Sequence, residues 1–285
     1  MMVSHSGENM LQEGGIIETA HVFGESLVGV LSRPRQIAEG RPAVILLNAG
    51  LVQRSGPFRV YAQLARALAS CGFVVLRFDL SGRGDSANAV GASPGPVLKQ
   101  QEADAAMQLV TGLTGVDRFV LSGICSGADD AFRLADGNAR VAGIVLLDGY
   151  AYRTTGYKIR RYGPGLLDAG KVMRRVGRLF KRDEEGEHAL DEGDFRDFPS
   201  PDEAVARLQR LSARDARVLL VYTGGAFRYF NHARQARECF GVAMDAPQVS
   251  LEYWPDCDHT FFQRKDRLRL NTRFSAWMRA QFPAT

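Results

Sequence analysis

The sequence predicts an α/β fold: a mostly parallel central sheet flanked by helices, with an insertion in the second half of the chain. Three observations predict it. Several apolar runs, over 43–47, 73–78 and 141–147 among others, are continuous rather than alternating, the pattern of strands buried on both faces. Segments with helical spacing separate these runs, so strands and helices alternate and right-handed crossovers follow. About 65 residues lie between Asp148 and Arg217, many more than a simple crossover needs. The expected layout is a flexible stretch over 1–15, a core over 16–150 and 216–285, and a lid over 151–215.

The elements follow in order. Two β-rich runs, 16–22 and 27–31, flank Phe-Gly-Glu-Ser and read as a hairpin. The run over 43–47 reads as a central strand ending in Asn48-Ala49-Gly50-Leu51. Residues 60–69 carry Val60, Leu64 and Leu68 at helical spacing. Gly72 ends that helix, and a strand over 73–78 runs into Asp79-Leu80-Ser81-Gly82-Arg83-Gly84-Asp85-Ser86, whose glycines suit a tight turn. A helix is expected over 97–113, strands over 119–121, 141–147, 217–222 and 249–254, and helices over 129–135, 230–240 and 267–282.

The strand at Phe119 runs into Gly123-x-Cys125-x-Gly127 and then a helix. Strand, sharp turn and helix, with a small residue two places either side of the central one, is the setting of a nucleophile elbow, whose usual form is G-x-S-x-G. The glycines let strand and helix pass closely around a strained turn. Here Cys125 holds the central place. Ser126 cannot substitute for it, because a shift of one residue breaks the glycine spacing and turns the side chain from the apex. Cys125 is therefore the expected nucleophile, with the Ser126 backbone N–H as an oxyanion donor. The plainer alternative is a small buried thiol acting as filler.

In a parallel sheet, ligands bind at the carboxyl ends of the strands. Asn48, Asp79, Cys125, Asp148 and His259 all follow predicted strands and so share that edge. The order nucleophile, acid, histidine resembles the α/β-hydrolase superfamily over residues 16–285. The resemblance rests on Asn48-Ala49-Gly50, on the turn from Asp79 to Ser86, on the elbow, and on Asp258-His259-Thr260-Phe261 before the last helix. Within the superfamily the chain is most similar to bacterial hydrolases described as exosortase-associated, through its N-A-G-L, R-F-D-L-S-G-x-G-D-S and G-x-C-S-G-A strings.

The resemblance implies a triad. His259 is the expected base, able to take the Cys125 proton or hold its thiolate as an ion pair. The acid is open. Many relatives place it after the strand that here ends Thr223-Gly224-Gly225, where no carboxylate stands. Asp148 is the preferred orienter, with Asp256 and Asp258 as rivals and Asp258 also suited to capping a turn. Backbone N–H groups of Gly50 or Leu51 are expected to join that of Ser126 in the oxyanion hole, with Asn48 bracing the loop. Asp79 and Ser86 are expected to hold their turn, and Cys71, Cys239 and Cys257 to fill space.

The first half of the expected lid is basic, from Arg153 to Arg182, and the second acidic, from Asp183 to Glu203. Either these are solvated faces that pair with each other, or the basic half docks coenzyme A or an acidic carrier protein. Leu166, Leu167, Val172, Met173, Val176 and Leu179 either line an acyl pocket or pack on the body. Three functions remain open: hydrolysis of an acyl thioester or ester through acyl-Cys125, transfer of the acyl group to a thiol or amine, and a non-catalytic binding module.

Composition narrows the partners. No apolar run reaches 18 residues, so no membrane span is expected, and the polar N-terminus does not resemble a signal peptide. The four cysteines form no C-x-x-C pair, which argues against a zinc site or a disulfide framework and suits a reducing cytoplasm. The net charge of +4 is mild, and neither nucleic acid, a metal nor a cofactor is expected.

Overall fold

The computed structural model describes residues 11–13, 15–89, 95–166, 196 and 199–284. A nine-stranded sheet runs through them in the order β1-β2-β3-β5-β4-β6-β7-β8-β9. β1 (Leu11–Glu13), β2 (Ile16–Phe23) and β3 (Leu27–Pro34) form an antiparallel ribbon, and β3 pairs antiparallel with β5 (Val75–Asp79). From there the sheet is parallel, through β4 (Ala43–Leu47), β6 (Phe119–Ile124), β7 (Val141–Leu147), β8 (Arg217–Thr223) and β9 (Val249–Trp254).

The central strands are mostly apolar because helices cover both faces. In β4, Ala43, Ile45 and Leu47 face one core while Val44 and Leu46 face the other. The first core packs against α2 (Gly95–Thr114), α3 (Ser126–Asp136) and α5 (Pro201–Ala213) through residues such as Met107, Leu134 and Leu208. The second packs against α1 (Val60–Ser70) and α7 (Arg264–Gln281) through Leu64, Leu68, Phe274 and Trp277. Continuous apolar strands thus follow from burial on both faces, as in parallel sheets generally.

Several element bounds differ from the sequence expectation, among them the elbow strand and the helix after it, which run to Ile124 and start at Ser126. The strand expected from residue 73 begins at Val75. The helix expected from Phe230 begins only at Arg234, as α6 (Arg234–Phe240), because Phe230 is fully buried with its ring stacked 3.8 Å from that of Tyr222 and serves the core from a turn. The closing helix starts earlier than expected, at Arg264.

Of the stretch between β7 and β8, two helices are described. α4 (Thr155–Leu166) lies against α6, where Arg160 forms an ion pair with Glu238 at 2.8 Å. α5 is capped by Ser200, whose hydroxyl accepts the Glu203 N–H. Its Ala204, Leu208 and Leu211 are buried in the main core, so α5 makes the crossover into β8. The acyl-pocket candidates Leu166, Leu167, Val172, Met173, Val176 and Leu179, and the charged residues from Lys171 to Asp194, lie outside the described side chains. No helix among the described residues is long and apolar enough to cross a membrane.

Candidate active site

The elbow is strained where the motif demands it. Cys125 has φ 57° and ψ −124°, a conformation that side-chain-bearing residues rarely adopt. Its backbone N–H donates to Leu147 O at 2.9 Å, and its carbonyl accepts the first turn of α3 from Ala128 and Asp129. The flanking glycines leave no room for a side chain. A Cβ on Gly127 would lie 2.6 Å from Asn48 O and 2.7 Å from Leu47 O, and one on Gly123 would run into the Gly127 backbone. Below the turn, the buried Tyr61 donates its hydroxyl proton to Leu47 O at 2.9 Å and accepts the Ile124 N–H at 2.7 Å, joining the ends of β4 and β6.

His259 follows β9, as expected. Its Nδ1 lies 2.7 Å from Asp148 Oδ2, and its ring also hydrogen-bonds the Cys125 thiol. Burial works against charge on this imidazole, yet the contacts with Asp148 and Cys125 outweigh it and raise the pKa to about 10. Of the three carboxylates open to the sequence, only Asp148 meets the histidine. Asp256 is exposed and pairs with Arg269 at 3.2 Å. Asp258 closes its own turn, accepting the Thr260 N–H, the Thr260 hydroxyl and the Phe262 N–H.

Asp148 is fully buried and held from every side. Thr223 N–H donates to Oδ1 and Thr223 Oγ1 donates to Oδ2, both at 2.6 Å. Its backbone carries φ 49°, with its N–H on Val221 O and its carbonyl accepting Tyr229 Oη at 3.0 Å and Arg196 Nη2 at 3.2 Å. Arg196 in turn grips Asp129, in the first turn of α3, with Nε at 2.7 Å and Nη2 at 2.9 Å. Burial pushes the Asp129 carboxyl up to about 6 even against this guanidinium.

The absence of an acid after β8 has a steric reason. A side chain on Gly225 would strike the His259 backbone, and one on Gly224 would strike Pro255 O. The histidine loop packs where that acid would stand. Thr223, Tyr229 and Arg196 were not legible as site residues. They lie 75, 81 and 48 positions from Asp148 in sequence, and no motif marks them.

The remaining expectations are placed as follows. Asn48 donates to Asp79 Oδ1 and to Val52 O and accepts the Leu80 N–H, so it braces the loop after β4. Asp79 is bound by Arg54, and Ser86 donates to Asp79 O while accepting the Val28 N–H. Gly50 N–H donates to the Ser126 hydroxyl oxygen at 2.9 Å, while the Leu51 side chain is exposed. Cys239 and Cys257 are buried, and burial raises both thiols, Cys239 to about 12. Cys71 is half-buried. Of the basic residues expected to dock an anion, Arg160 is engaged by Glu238 and Arg161 lies over the Phe227 ring. Behind the acid loop, Asp129, Phe132, Tyr150, Tyr152 and Leu208 help line a cavity of about 30 Å³, room for a single water rather than an acyl chain. Among the described residues, no group of three His, Cys, Asp or Glu side chains is arranged to hold a metal ion.

No protein-family model and no curated protein matches the chain. Solved structures do. A hypothetical protein from Pseudomonas aeruginosa superposes with a TM-score of 0.58 at 15% identity, covering 99% of both chains. A cold-adapted esterase from an Arctic intertidal metagenomic library gives 0.57 at 13% identity over 99% of this chain and 100% of its own. An α-β serine hydrolase homologue from Coxiella burnetii gives 0.55 at 16% identity over 91% and 95%. These likenesses establish the α/β-hydrolase fold for this chain.

Proposed function

We propose that the protein is an acyl-transfer enzyme that hydrolyses an acyl thioester or activated ester through a covalent acyl-Cys125 intermediate. The observation that carries this reading is the continuous contact Cys125–His259–Asp148 at a strained elbow. A binding module has no need to hold a non-glycine residue at φ 57° with a histidine on its thiol.

The Cys125 thiolate attacks the substrate carbonyl. A C–S bond forms and the carbonyl π pair moves to oxygen, where backbone N–H groups at the start of α3 receive it. The pair returns, the bond to the leaving thiolate or alkoxide breaks, and the His259 imidazolium gives that group its proton. Water then adds to the thioester as His259 takes its proton. Collapse releases the carboxylic acid and returns the proton to the Cys125–His259 pair. Asp148 keeps Nδ1 as a donor throughout, leaving the other ring nitrogen for this traffic.

Intact-mass spectrometry after brief exposure to a panel of acyl thioesters tests the reading. The expected result is an acyl adduct present in wild type, absent in Cys125→Ala and long-lived in His259→Ala. No adduct and no turnover across the panel, with sluggish alkylation of Cys125 at neutral pH, would overturn it in favour of a binding module. An adduct that persists in wild type until a thiol or amine is added would instead assign transfer to that acceptor.

A further inference from the structure

We infer that the Ser126 side chain is itself an oxyanion donor, and that Gly50 acts through it rather than directly. The inference rests on the acyl-Cys125 reading and adds a residue to it.

The expected hole has backbone N–H groups from the loop after β4 and from the residue after the nucleophile. The loop group is already committed, since Gly50 N–H donates to Ser126 Oγ at 2.9 Å. A serine hydroxyl has one proton to give and two lone pairs to fill. Gly50 fills one lone pair, and among the described residues no acceptor takes the proton. A hydroxyl whose oxygen accepts a hydrogen bond becomes a better donor, because each bond in a chain polarises the next.

Position favours the same role. Ser126 is the first residue of α3, so its backbone N–H has no acceptor within the helix. It follows Cys125 directly and is half-buried, so its hydroxyl is not closed off from a substrate. One residue thus offers two donors, N–H and O–H, to the same developing charge. Arg83 Nη1 donates to Gly50 O at 2.6 Å, so the residue whose N–H meets Ser126 is tied down through its carbonyl as well.

The alternative is that the hydroxyl merely occupies the hole and swings away when substrate enters. Ser126→Ala and Ser126→Thr separate the two when compared in two reactions. One is turnover of the best acyl thioester from the panel, which passes through an oxyanion. The other is alkylation of Cys125 by iodoacetamide, a displacement at a saturated carbon in which none forms. Donation predicts that Ser126→Ala lowers kcat about tenfold to a hundredfold with KM and alkylation rate unchanged, while Ser126→Thr stays within about threefold of wild type. An equal loss in both reactions would reduce Ser126 to a support of the elbow and overturn the inference. An unchanged or raised kcat in Ser126→Ala would make the hydroxyl a departing occupant and overturn it as well. Absence of both acyl adduct and turnover in wild type, with or without a thiol or amine acceptor and with alkylation intact, would overturn the acyl-Cys125 reading and this inference together.

Discussion

Cys125 and Asp148 stand at the ends of neighbouring parallel strands, and both are non-glycine residues with left-handed backbones, at φ 57° and 49°. They reach that state by opposite means. The Cys125 turn is shaped by what is missing: Gly123 and Gly127 remove side chains that would collide with β4 and the start of α3. The Asp148 turn is shaped by what is added: Thr223, Tyr229, Arg196 and His259 converge on it from remote segments. Strain relieved by local omission leaves a trace in the sequence. Strain held by distant donors leaves none.

The comparison can be broken in four places, taken from the largest expected effect to the smallest. Arg196→Met should cost about 4 kcal/mol of folding stability at neutral pH, because it strands the buried Asp129 carboxylate that Arg196 holds in a two-bonded pair. Urea denaturation should show this cost shrinking on acidification, as Asp129 takes up a proton and no longer needs the guanidinium. A pH-independent cost would mean that Arg196 acts by packing over Tyr150 and Tyr229 alone.

Gly127→Ala should cost about 3 kcal/mol, since the new methyl meets the carbonyl oxygens of Leu47 and Asn48, at the end of a central strand that cannot retreat. A shift in the urea midpoint worth less than about 1 kcal/mol would show that the elbow can widen.

Asp148→Asn should lower kcat about a hundredfold, about 2.7 kcal/mol of transition-state stabilisation, with less effect on KM. The same change should bring the His259 titration down from about 10 toward its ordinary 6.5, as followed by NMR of the ring protons. The sign follows from the raised value. Stability from the charged histidine is complete below about pH 6.5 in wild type and is lost as the pH rises through about 10. Asp148→Asn should narrow that window from above.

Thr223→Val should have the smallest effect, about 1 kcal/mol of stability, because the hydroxyl donor is lost while the Thr223 N–H remains. Thr223→Ser should restore it, and failure to do so would place the methyl group rather than the hydroxyl in charge of Asp148.

Much of the fold was legible in the sequence. Continuous apolar runs marked the central parallel strands, since burial on two faces favours apolar residues throughout. The misread start of the helix before β9 shows the limit: Phe230 fits a helical period, yet it stacks on Tyr222 of β8, a contact that no local pattern records. The elbow and His259 were also legible, because glycine spacing and position after a strand are local facts.

By itself the sequence determined the alternation of strands and helices, the place of Cys125 in its turn, and the edge of the sheet on which His259 stands. Each depends on residues close together along the chain. Only the tertiary structure decided which carboxylate meets His259, why none stands after β8, and where the Gly50 N–H points. Those outcomes depend on the packing of the histidine loop onto Gly224 and Gly225, on donors drawn to Asp148 from β8 and beyond, and on the approach of the β4 loop to α3. Such contacts join segments up to 111 residues apart, and they exist only once the sheet has brought its strand ends into one line.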